Sequence, residues 1–417
     1  MEVSQKVKDL VREAEEKLSA QFARIEDISF ENTARIMESF REHRVSAAMF
    51  NPTDGYGYDD KGRDTLDEIW ADVMGAEAAF VRHSIVSGTQ ALTIALFGLL
   101  RPNDIMLSIA GKPYDTLEEV IGIAGEAGNG SLRDFGVDYA QVDLLADGSF
   151  DLPKIKAAIL EGGERVKVVF IQRSKGYLNR KTLSVEEIGE VTAFVKALAP
   201  RAFVVVDNCY GEFVETREPT AVGVDMIVGS LIKNPGGGMA ETGGYIAGTR
   251  RAVELASYRL TSVGVGLEAG ASLGFNKSMY KGLFYAPHTV SQALKTAHLA
   301  AYVFNALGYE VEPRFDETRY DVIQTVITRA PEKLCAFCRG IQKGSPVDAF
   351  VTPEPWAMPG YADEVIMAAG AFTQGSSIEI SADGPLRAPY TAFLQGGLTY
   401  ESGKIGVMYA AEEMLSV

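Results

Sequence analysis

Four nearly uninterrupted apolar runs in the middle of the chain constrain the fold most strongly. They occupy residues 166–172, 202–207, 225–230 and 244–248, and each has the length of a strand. A strand that is apolar at successive positions is buried on both faces, as in parallel or mixed sheets covered by helices on each side. Ser184 and Glu187 form a capping-box pattern that predicts a helix between the first two runs. An α/β fold is therefore predicted.

The pattern changes on both sides of this central region. Residues 1–52 contain two charged amphipathic segments and are predicted to form an N-terminal helical arm. Residues 53–285 are predicted to form the large α/β domain. A long helix predicted over 289–307 opens a different pattern, so residues 286–417 are predicted to form a small C-terminal α+β domain.

The composition argues against several classes of protein. The 417 residues include 56 acidic and 40 basic ones, and the formal net charge of −16 would repel a nucleic-acid backbone. No apolar run reaches the roughly eighteen residues of a membrane span, and the first residues lack the apolar core of a signal peptide. We therefore expect a cytoplasmic enzyme that binds neither nucleic acid nor membrane.

The cysteines do not indicate a metal site. Cys335 and Cys338 have the spacing of a redox or zinc pair, but the chain contains only one further cysteine and four scattered histidines. Both cysteines lie in the helical-looking segment 331–343, where burial in the core is the more frequent explanation. No metal is expected.

Several polar residues follow predicted strands in an order that makes joint chemical sense. Ser87, Gly88 and Thr89 open a helix after a strand, where main-chain N–H groups suit a phosphate, although many helices begin this way without a ligand. Asp207 ends an apolar strand, so its carboxylate would face the crevice beyond the sheet and could pair with a cationic ring nitrogen. A solvated strand-end carboxylate is the competing explanation.

A lysine and a serine end another of these strands. Lys233 lies between apolar residues and a glycine-rich turn, where partial desolvation would lower the pKa of its amine and favour Schiff-base formation. Ser230, three residues earlier, could contact the same phosphate. Tyr114 follows a further strand and could stack on a flat ring.

These residues and three longer strings carry a resemblance to a known family. The strings are Gly-Tyr-Gly-Tyr-Asp-Asp at 55–60, Gly-Lys-Pro-Tyr-Asp-Thr-Leu-Glu-Glu at 111–119 and Asp-Gly-Pro-Leu-Arg-Ala-Pro-Tyr at 383–390. The chain resembles the bacterial aluminium-resistance family of methionine gamma-lyase and cystathionine beta-lyase relatives. That family lies in the Cys/Met-metabolism branch of the fold-type-I pyridoxal-phosphate enzymes. The resemblance implies a large domain with a mostly parallel seven-stranded sheet and a small C-terminal α+β domain.

The resemblance also implies roles for matched positions. Lys233 would hold pyridoxal phosphate as a Schiff base and later move the α-proton of the substrate. Asp207 would pair with the ring nitrogen and Tyr114 would stack on the ring. The phosphate would be bound by residues of the same chain and by a tyrosine–arginine pair of a neighbouring subunit: Ser87, Gly88, Thr89 and Ser230, and Tyr58 and Arg63 of the second copy.

The remaining roles concern the substrate and the assembly. Arg387 would bind the carboxylate of a small amino-acid substrate, because its planar fork fits that group. The branch's Asn-Pro element is missing, and Arg173 and Ser174 are candidates for contacting the cofactor's 3′ oxygen or the substrate. Tyr114 or Tyr58 could assist the leaving group as an acid. A site shared between subunits implies a homodimer or a homotetramer.

The predicted function is carbon–sulfur bond cleavage in a sulfur-containing amino acid, giving a 2-oxo acid, ammonia and a thiol. An aminotransferase or a decarboxylase on the same fold is an alternative, since the fold does not fix the reaction. A regulatory protein that binds pyridoxal phosphate without catalysis is a second alternative. A nicotinamide dehydrogenase is disfavoured because the glycines at 264, 266 and 270 have the wrong spacing for a dinucleotide loop.

Overall fold

The chain forms two compact units, each assembled from separate stretches of sequence. The computed structural model describes residues 3–358, 361 and 363–417. We call Ala34–Leu231 together with Thr242–Lys281 the sheet unit. We call Met1–Thr33, Ile232–Glu241 and Gly282–Val417 together the C-terminal unit.

Helices and strands alternate through the first two thirds of the chain, as the apolar runs predict. The α-helices are α1 Gln5–Lys17, α2 Ser19–Glu42, α3 Lys61–Met74, α4 Gly88–Leu99, α5 Asp115–Ile121, α6 Leu152–Gly162, α7 Val185–Leu198, α8 Arg250–Leu260, α9 Asn276–Ala306, α10 Pro331–Lys343 and α11 Tyr400–Leu415. The strands are β1 Ala78–Arg82, β2 Ile105–Ser108, β3 Asp138–Gln141, β4 Val166–Gln172, β5 Phe203–Asp207, β6 Met226–Ser230, β7 Gly244–Gly248, β8 Glu310–Glu312, β9 Gln324–Ile327, β10 Val365–Ala368, β11 Ser381–Pro385 and β12 Thr391–Gln395.

The sheet unit contains a seven-stranded, mostly parallel sheet, which confirms the predicted fold class. Its strand order is β1-β7-β6-β5-β4-β2-β3. Strands β3, β2, β4, β5 and β6 run parallel, and β7 is antiparallel to both of its neighbours. Alternate apolar side chains of β4 to β7 pack with α4 and α8 in one core. The intervening ones, among them Val169, Val204 and Ile227, are also buried, which explains why these strands are apolar at successive positions.

The parallel strands bring several polar residues to one edge of the sheet. Gln172 is paired with Asp207 across β4 and β5, and Asp207 with Val228 across β5 and β6. Ser230 ends β6, two residues beyond Val228. Because carboxyl ends of parallel strands meet at the same edge, Gln172, Asp207 and Ser230 border a common crevice.

The C-terminal unit is built on a five-stranded antiparallel sheet of order β10-β11-β12-β9-β8. Helices α10 and α11 and the later part of α9 share one apolar core with this sheet. Helix α1 joins the same core through Val7, Val11 and Ala14, and the Ser4 hydroxyl donates to the Glu412 carboxylate over 2.7 Å.

The predicted domain limits differ from these units in two respects. The predicted arm, residues 1–52, is divided between the units after Thr33, because the apolar face of α1 needs the C-terminal core to be buried. The predicted boundary after residue 285 lies four residues beyond the change of unit at Lys281. Among the residues that the structure describes, no helix is both long and apolar enough to cross a membrane.

A buried histidine makes the C-terminal unit sensitive to acid. His298 is 5% exposed, and its Nδ1–H donates to the Phe315 carbonyl over 2.8 Å. Burial, reinforced by the Arg319 guanidinium, lowers the pKa of His298 to about 3 from its usual 6.5. Between pH 6.5 and about 3, the unfolded chain binds a proton at His298 that the folded chain does not bind. The folded state therefore loses stability as the pH falls through this range.

We therefore expect the unfolding free energy to fall by about 1.4 kcal/mol for each pH unit below 6.5 through this group alone. Urea unfolding at several pH values between 6.5 and 5 measures the slope. His298→Asn keeps a donor for the Phe315 carbonyl and removes the titration, so the variant should show a shallower slope. Equal slopes for the two proteins would contradict the assignment.

Candidate active site

Asp207 and Ser230 lie where two neighbouring strands end in the sheet unit. Asp207 is 8% exposed, and its Oδ1 accepts the main-chain N–H of Cys209 over 3.1 Å. This bond fixes one oxygen of the carboxylate and leaves its other oxygen for a further donor. A carboxylate held in this way can orient and stabilise a cation beyond the strand end.

The Ser230 hydroxyl indicates a bound group. It is buried and has no hydrogen-bond partner within the part of the chain that the structure describes. Leaving a buried hydroxyl unsatisfied costs about 1–3 kcal/mol, so a ligand with acceptor oxygens explains it. A Cβ built on Gly88 would lie 3.5 Å from Ser230 Cβ and 3.4 Å from Cys209 Sγ, which places the start of α4 beside both strand ends.

The start of α4 supplies donors for an anion. The Ser87 hydroxyl accepts the main-chain N–H of Gln90 over 3.1 Å and so caps the helix. The N–H groups of Gly88 and Thr89 belong to the first turn, where no intrahelical acceptor exists. The Thr89 and Thr116 hydroxyls are hydrogen-bonded over 2.7 Å, which ties this turn to α5. The start of α4 and the Ser230 hydroxyl together fit a phosphate group.

Tyr114 lies next to the end of β4. It directly precedes α5 and packs against Tyr177 at a centroid distance of 6.0 Å. A Cβ on Gly176 would stand 3.0 Å from Tyr114 Cδ2 and 3.1 Å from Gln172 Nε2. Gly176 has a φ of +56°, so this close approach requires glycine. The structure therefore brings Tyr114 to the same sheet edge as Asp207.

Arg173 is placed differently from the expected substrate contact. It is fully buried, and its guanidinium donates to Asn208 Oδ1 over 2.8 Å and to Glu215 Oε2 over 2.6 Å. Burial raises the pKa of Glu215, and the Arg173 charge opposes that rise. A fully buried guanidinium that donates to Asn208 and Glu215 is closed to a substrate, so the structure does not bear out the expected substrate contact of Arg173. Ser174 is 4% exposed, and its carbonyl accepts from Gln172 and Arg180.

The segment of Tyr58 and Arg63 forms a tight turn. Tyr58 is 59% exposed and stacks on Tyr56 at a centroid distance of 5.3 Å. Arg63 is 3% exposed, and its Nη1 donates to the carbonyls of Gly57 and Gly270 over 2.7 and 2.9 Å. Tyr58 is accessible to a second copy, whereas the donors of Arg63 are engaged within its own chain. The predicted phosphate contact of Arg63 stays a prediction.

Lys233 belongs to a short segment of the C-terminal unit. It is half-buried and directly precedes the single turn Asn234–Gly236. A Cβ on Gly237 would stand 2.4 Å from the Gly282 carbonyl oxygen, and the Gly237 carbonyl accepts the Thr289 hydroxyl over 3.1 Å. The glycines after Lys233 therefore allow close packing against α9, which holds the lysine segment in place.

Arg387 follows β11 in the C-terminal unit. Its side chain is 46% exposed, and Nη1 lies 3.0 Å from Asp363 Oδ2. The exposed fraction leaves part of the guanidinium accessible. Its predicted contact with a substrate carboxylate stays a prediction.

Sequence reasoning missed the residues behind Asp207. Asn208 is fully buried between Arg173 and Glu218, and Cys209 supplies the N–H that fixes the Asp207 carboxylate. Glu212, Glu215 and Glu218 recur every three residues after the strand, and this spacing was the available signal for a buried polar cluster. Tyr245 joins the cluster by donating to Glu212 over 2.9 Å.

The chain is similar to several proteins over nearly its whole length. The family model described as methionine gamma-lyase matches residues 7–415. The uncharacterized protein YnbB of Bacillus subtilis is 52% identical over 409 residues, which cover 98% of this chain and 96% of that protein. A carbon–sulfur lyase involved in aluminum resistance from Clostridium novyi is 49% identical, with a TM-score of 0.94 and coverage of 98% and 96%.

More distant structures share the fold alone. YhfS of Escherichia coli, a pyridoxal-5′-phosphate-dependent protein, is 14% identical with a TM-score of 0.62 and covers 94% of this chain and 97% of its own. CalE6 of Micromonospora echinospora, a methionine gamma-lyase, is 18% identical with a TM-score of 0.58 and coverage of 85% and 86%. These likenesses confirm the predicted fold-type-I architecture.

The family model spans almost every residue, and YnbB matches more than half of the aligned positions. The resemblance predicted from residues 55–60, 111–119 and 383–390 is thereby confirmed. This chain belongs to the methionine gamma-lyase family.

Proposed function

We propose that the protein is a pyridoxal-phosphate-dependent carbon–sulfur lyase acting on a sulfur-containing amino acid. The substrate and one water would give a 2-oxo acid, ammonia and a thiol. The observation that carries the proposal is the buried, unsatisfied Ser230 hydroxyl beside the start of α4, with Asp207 ending the neighbouring strand. Family membership supports the same class of reaction.

The residues present fit the cofactor. Gly88, Thr89 and the Ser87 and Ser230 hydroxyls would bind its phosphate, with Tyr114 against the ring and Asp207 at the ring nitrogen. Lys233 follows Ser230 by three residues, and its Nζ would hold the cofactor covalently. Bound pyridoxal phosphate supplies an electron sink for the Cα of an amino acid.

The side chains of the protein would handle the protons. Lys233 Nζ, once released, would take the proton from Cα. The hydroxyl of Tyr114 or Tyr58 would donate a proton to the leaving sulfur, as a general acid. Arg387 would orient the substrate through its carboxylate. Arg173 has no place in this scheme as a substrate ligand, because it is enclosed.

We further propose that a second copy of the chain contributes Tyr58 to the site. Two aromatic rings, Tyr56 and Tyr58, are stacked and largely exposed on a turn that Arg63 ties to Gly57 and Gly270. Exposed aromatic side chains on a fixed turn are typical of protein–protein contacts. The homodimer or homotetramer expected from the sequence agrees with this proposal.

Ser230→Ala should preserve the stability of the cofactor-free protein but weaken its binding of pyridoxal phosphate. Without pyridoxal phosphate, removing an unsatisfied hydroxyl should leave the unfolding free energy unchanged or slightly higher. With it, losing a hydrogen bond to a charged phosphate should weaken binding by about ten- to a hundredfold. Urea unfolding and fluorescence titration measure the two quantities. Unchanged cofactor affinity would remove Ser230 from the site.

Thiol release from cysteine, cystathionine and methionine tests the proposed reaction. The purified protein is incubated with pyridoxal phosphate and each amino acid, and both thiol and 2-oxo acid are quantified. A lyase forms them in equal amounts without an added 2-oxo acid. If 2-oxo acid forms without thiol and only with a 2-oxo acid acceptor, the protein is an aminotransferase and the proposed function is wrong.

A further inference from the structure

Arg173 contacts Asp207 through its main chain and the following residue, Asn208, through its side chain. Its main-chain N–H donates to the Asp207 carbonyl over 3.1 Å, across β4 and β5. Its guanidinium donates to Asn208 Oδ1 over 2.8 Å, on the residue that follows Asp207. A single fully buried arginine therefore contacts both sides of the peptide that carries the candidate ring-nitrogen partner.

Asn208 makes further hydrogen bonds through its side-chain nitrogen and its main chain. Its Nδ2 donates to Glu218 Oε2 over 2.9 Å, and its main-chain N–H donates to the Val228 carbonyl over 3.0 Å. Both Asn208 and Glu218 are buried, so water cannot replace a lost partner without cost. The orientation of the Asn208 amide thus depends on Arg173 at its oxygen as well as on Glu218 at its nitrogen.

The Asn208 peptide leads directly to the N–H that aims the carboxylate. Cys209 donates to Asp207 Oδ1 over 3.1 Å, so a rotation of the preceding residue would move this donor. Buried polar groups that are fully hydrogen-bonded rigidify their surroundings, whereas partly satisfied ones shift to new partners. Arg173, Asn208 and Cys209 form a continuous path to the Asp207 carboxylate.

We propose that Arg173 is a positioning residue, which acts through Asn208 to aim the Asp207 carboxylate and does not touch the substrate. The inference rests on the proposed function, because it assigns Asp207 to the ring nitrogen of pyridoxal phosphate. It extends that function, because it gives Arg173 a role beyond its ion pairs with Glu215 and Glu218. Partners behind a binding residue commonly affect affinity almost as strongly as the residue itself.

A double-mutant cycle on pyridoxal-phosphate binding separates positioning from general stability. The dissociation constant is measured by fluorescence titration of the full-length wild type, Arg173→Met, Asp207→Asn and the double variant. We expect Arg173→Met to weaken binding by about tenfold in the wild-type background and by less than about twofold beside Asp207→Asn. The visible spectrum of the loaded Arg173→Met protein should shift toward that of Asp207→Asn.

Two further variants make the experiment decisive. Asn208→Ala keeps the ion pair of Arg173 with Glu215 and removes the link, together with the Nδ2 donation to Glu218, so it should reproduce the coupling even if Arg173→Met folds poorly. Lys196→Met removes an ion pair of 2.6 Å with Asp225, which precedes β6 at the opposite edge of the sheet. It should lower the urea midpoint without changing the dissociation constant.

The outcomes distinguish this inference from the proposed function. If Arg173→Met and Asn208→Ala weaken binding equally with and without Asp207→Asn, the two residues serve stability alone and the positioning role is wrong. If the wild type binds no pyridoxal phosphate, the proposed function itself fails. Binding by the wild type together with coupling in the cycle supports both.

Discussion

Lys233→Ala is expected to lower the rate of thiol release by at least about a thousandfold, since this lysine serves both attachment and proton transfer. Its Nζ would hold the cofactor and would then take the α-proton from the substrate. Folding should be retained, because Gly237 and Thr289 pack this segment against α9. Initial rates with a thiol-reactive dye, at saturating pyridoxal phosphate, measure the effect.

A matched control removes a lysine elsewhere. Lys277 is exposed in the first turn of α9, so Lys277→Ala should keep the wild-type rate. A Lys233→Ala protein that turns over at a rate within about tenfold of the wild type would contradict the assigned role, because losing an essential covalent group costs far more.

Asp207→Asn should lower the turnover number by about a hundredfold or more at saturating pyridoxal phosphate, as expected for losing a charge partner of the reacting group. The amide has nearly the same shape, and its oxygen can still accept the Cys209 N–H. The neutral side chain cannot favour a protonated ring nitrogen, so the electron sink weakens. Steady-state rates and urea unfolding of the same preparations separate chemistry from stability.

Asp225→Asn is the matched control for this prediction. Asp225 is also a buried aspartate of the sheet unit, but it lies at the opposite edge, where it pairs with Lys196 and accepts the Val204 N–H. This variant should lose stability and keep its turnover number. Equal losses of rate in both variants would mean that Asp207 acts through the fold and has no special place at the cofactor.

The central strands could be predicted because consecutive apolar residues indicate a strand that is buried on both faces. The predicted limits 166–172 and 244–248 are those of β4 and β7. Strand β3 was not predicted, because an edge strand with the sequence Asp-Tyr-Ala-Gln carries no apolar run. Edge strands are often polar, and their pairing becomes visible only when the neighbouring strand is known.

The long helix begins earlier than predicted, for a physical reason. The long helix was predicted to begin at residue 289, two residues beyond Pro287. In the structure α9 begins at Asn276 and continues through the proline. Proline removes one helical hydrogen bond, and tertiary packing of the rest of the helix can outweigh that loss.

Strand-end chemistry could be predicted where the local sequence determines it. Asp207 and Ser230 end their strands as predicted, and Ser87 caps α4. The surroundings of Arg173 and Arg63 could not be predicted, because their partners lie far away in sequence. Arg173 contacts Glu215, 42 residues later, and Arg63 contacts Gly270, 207 residues later. Burial of an arginine depends on such distant partners.

Borohydride reduction followed by peptide mapping tests whether Lys233 carries the cofactor. The purified protein is incubated with pyridoxal phosphate, reduced, digested and analysed by mass spectrometry, with Lys233→Ala treated in parallel. We expect one stoichiometric phosphopyridoxyl label on Lys233 and none at an equivalent level in the variant. A wild-type protein that takes no label, or carries it mainly on another lysine, would show that Lys233 does not hold the cofactor.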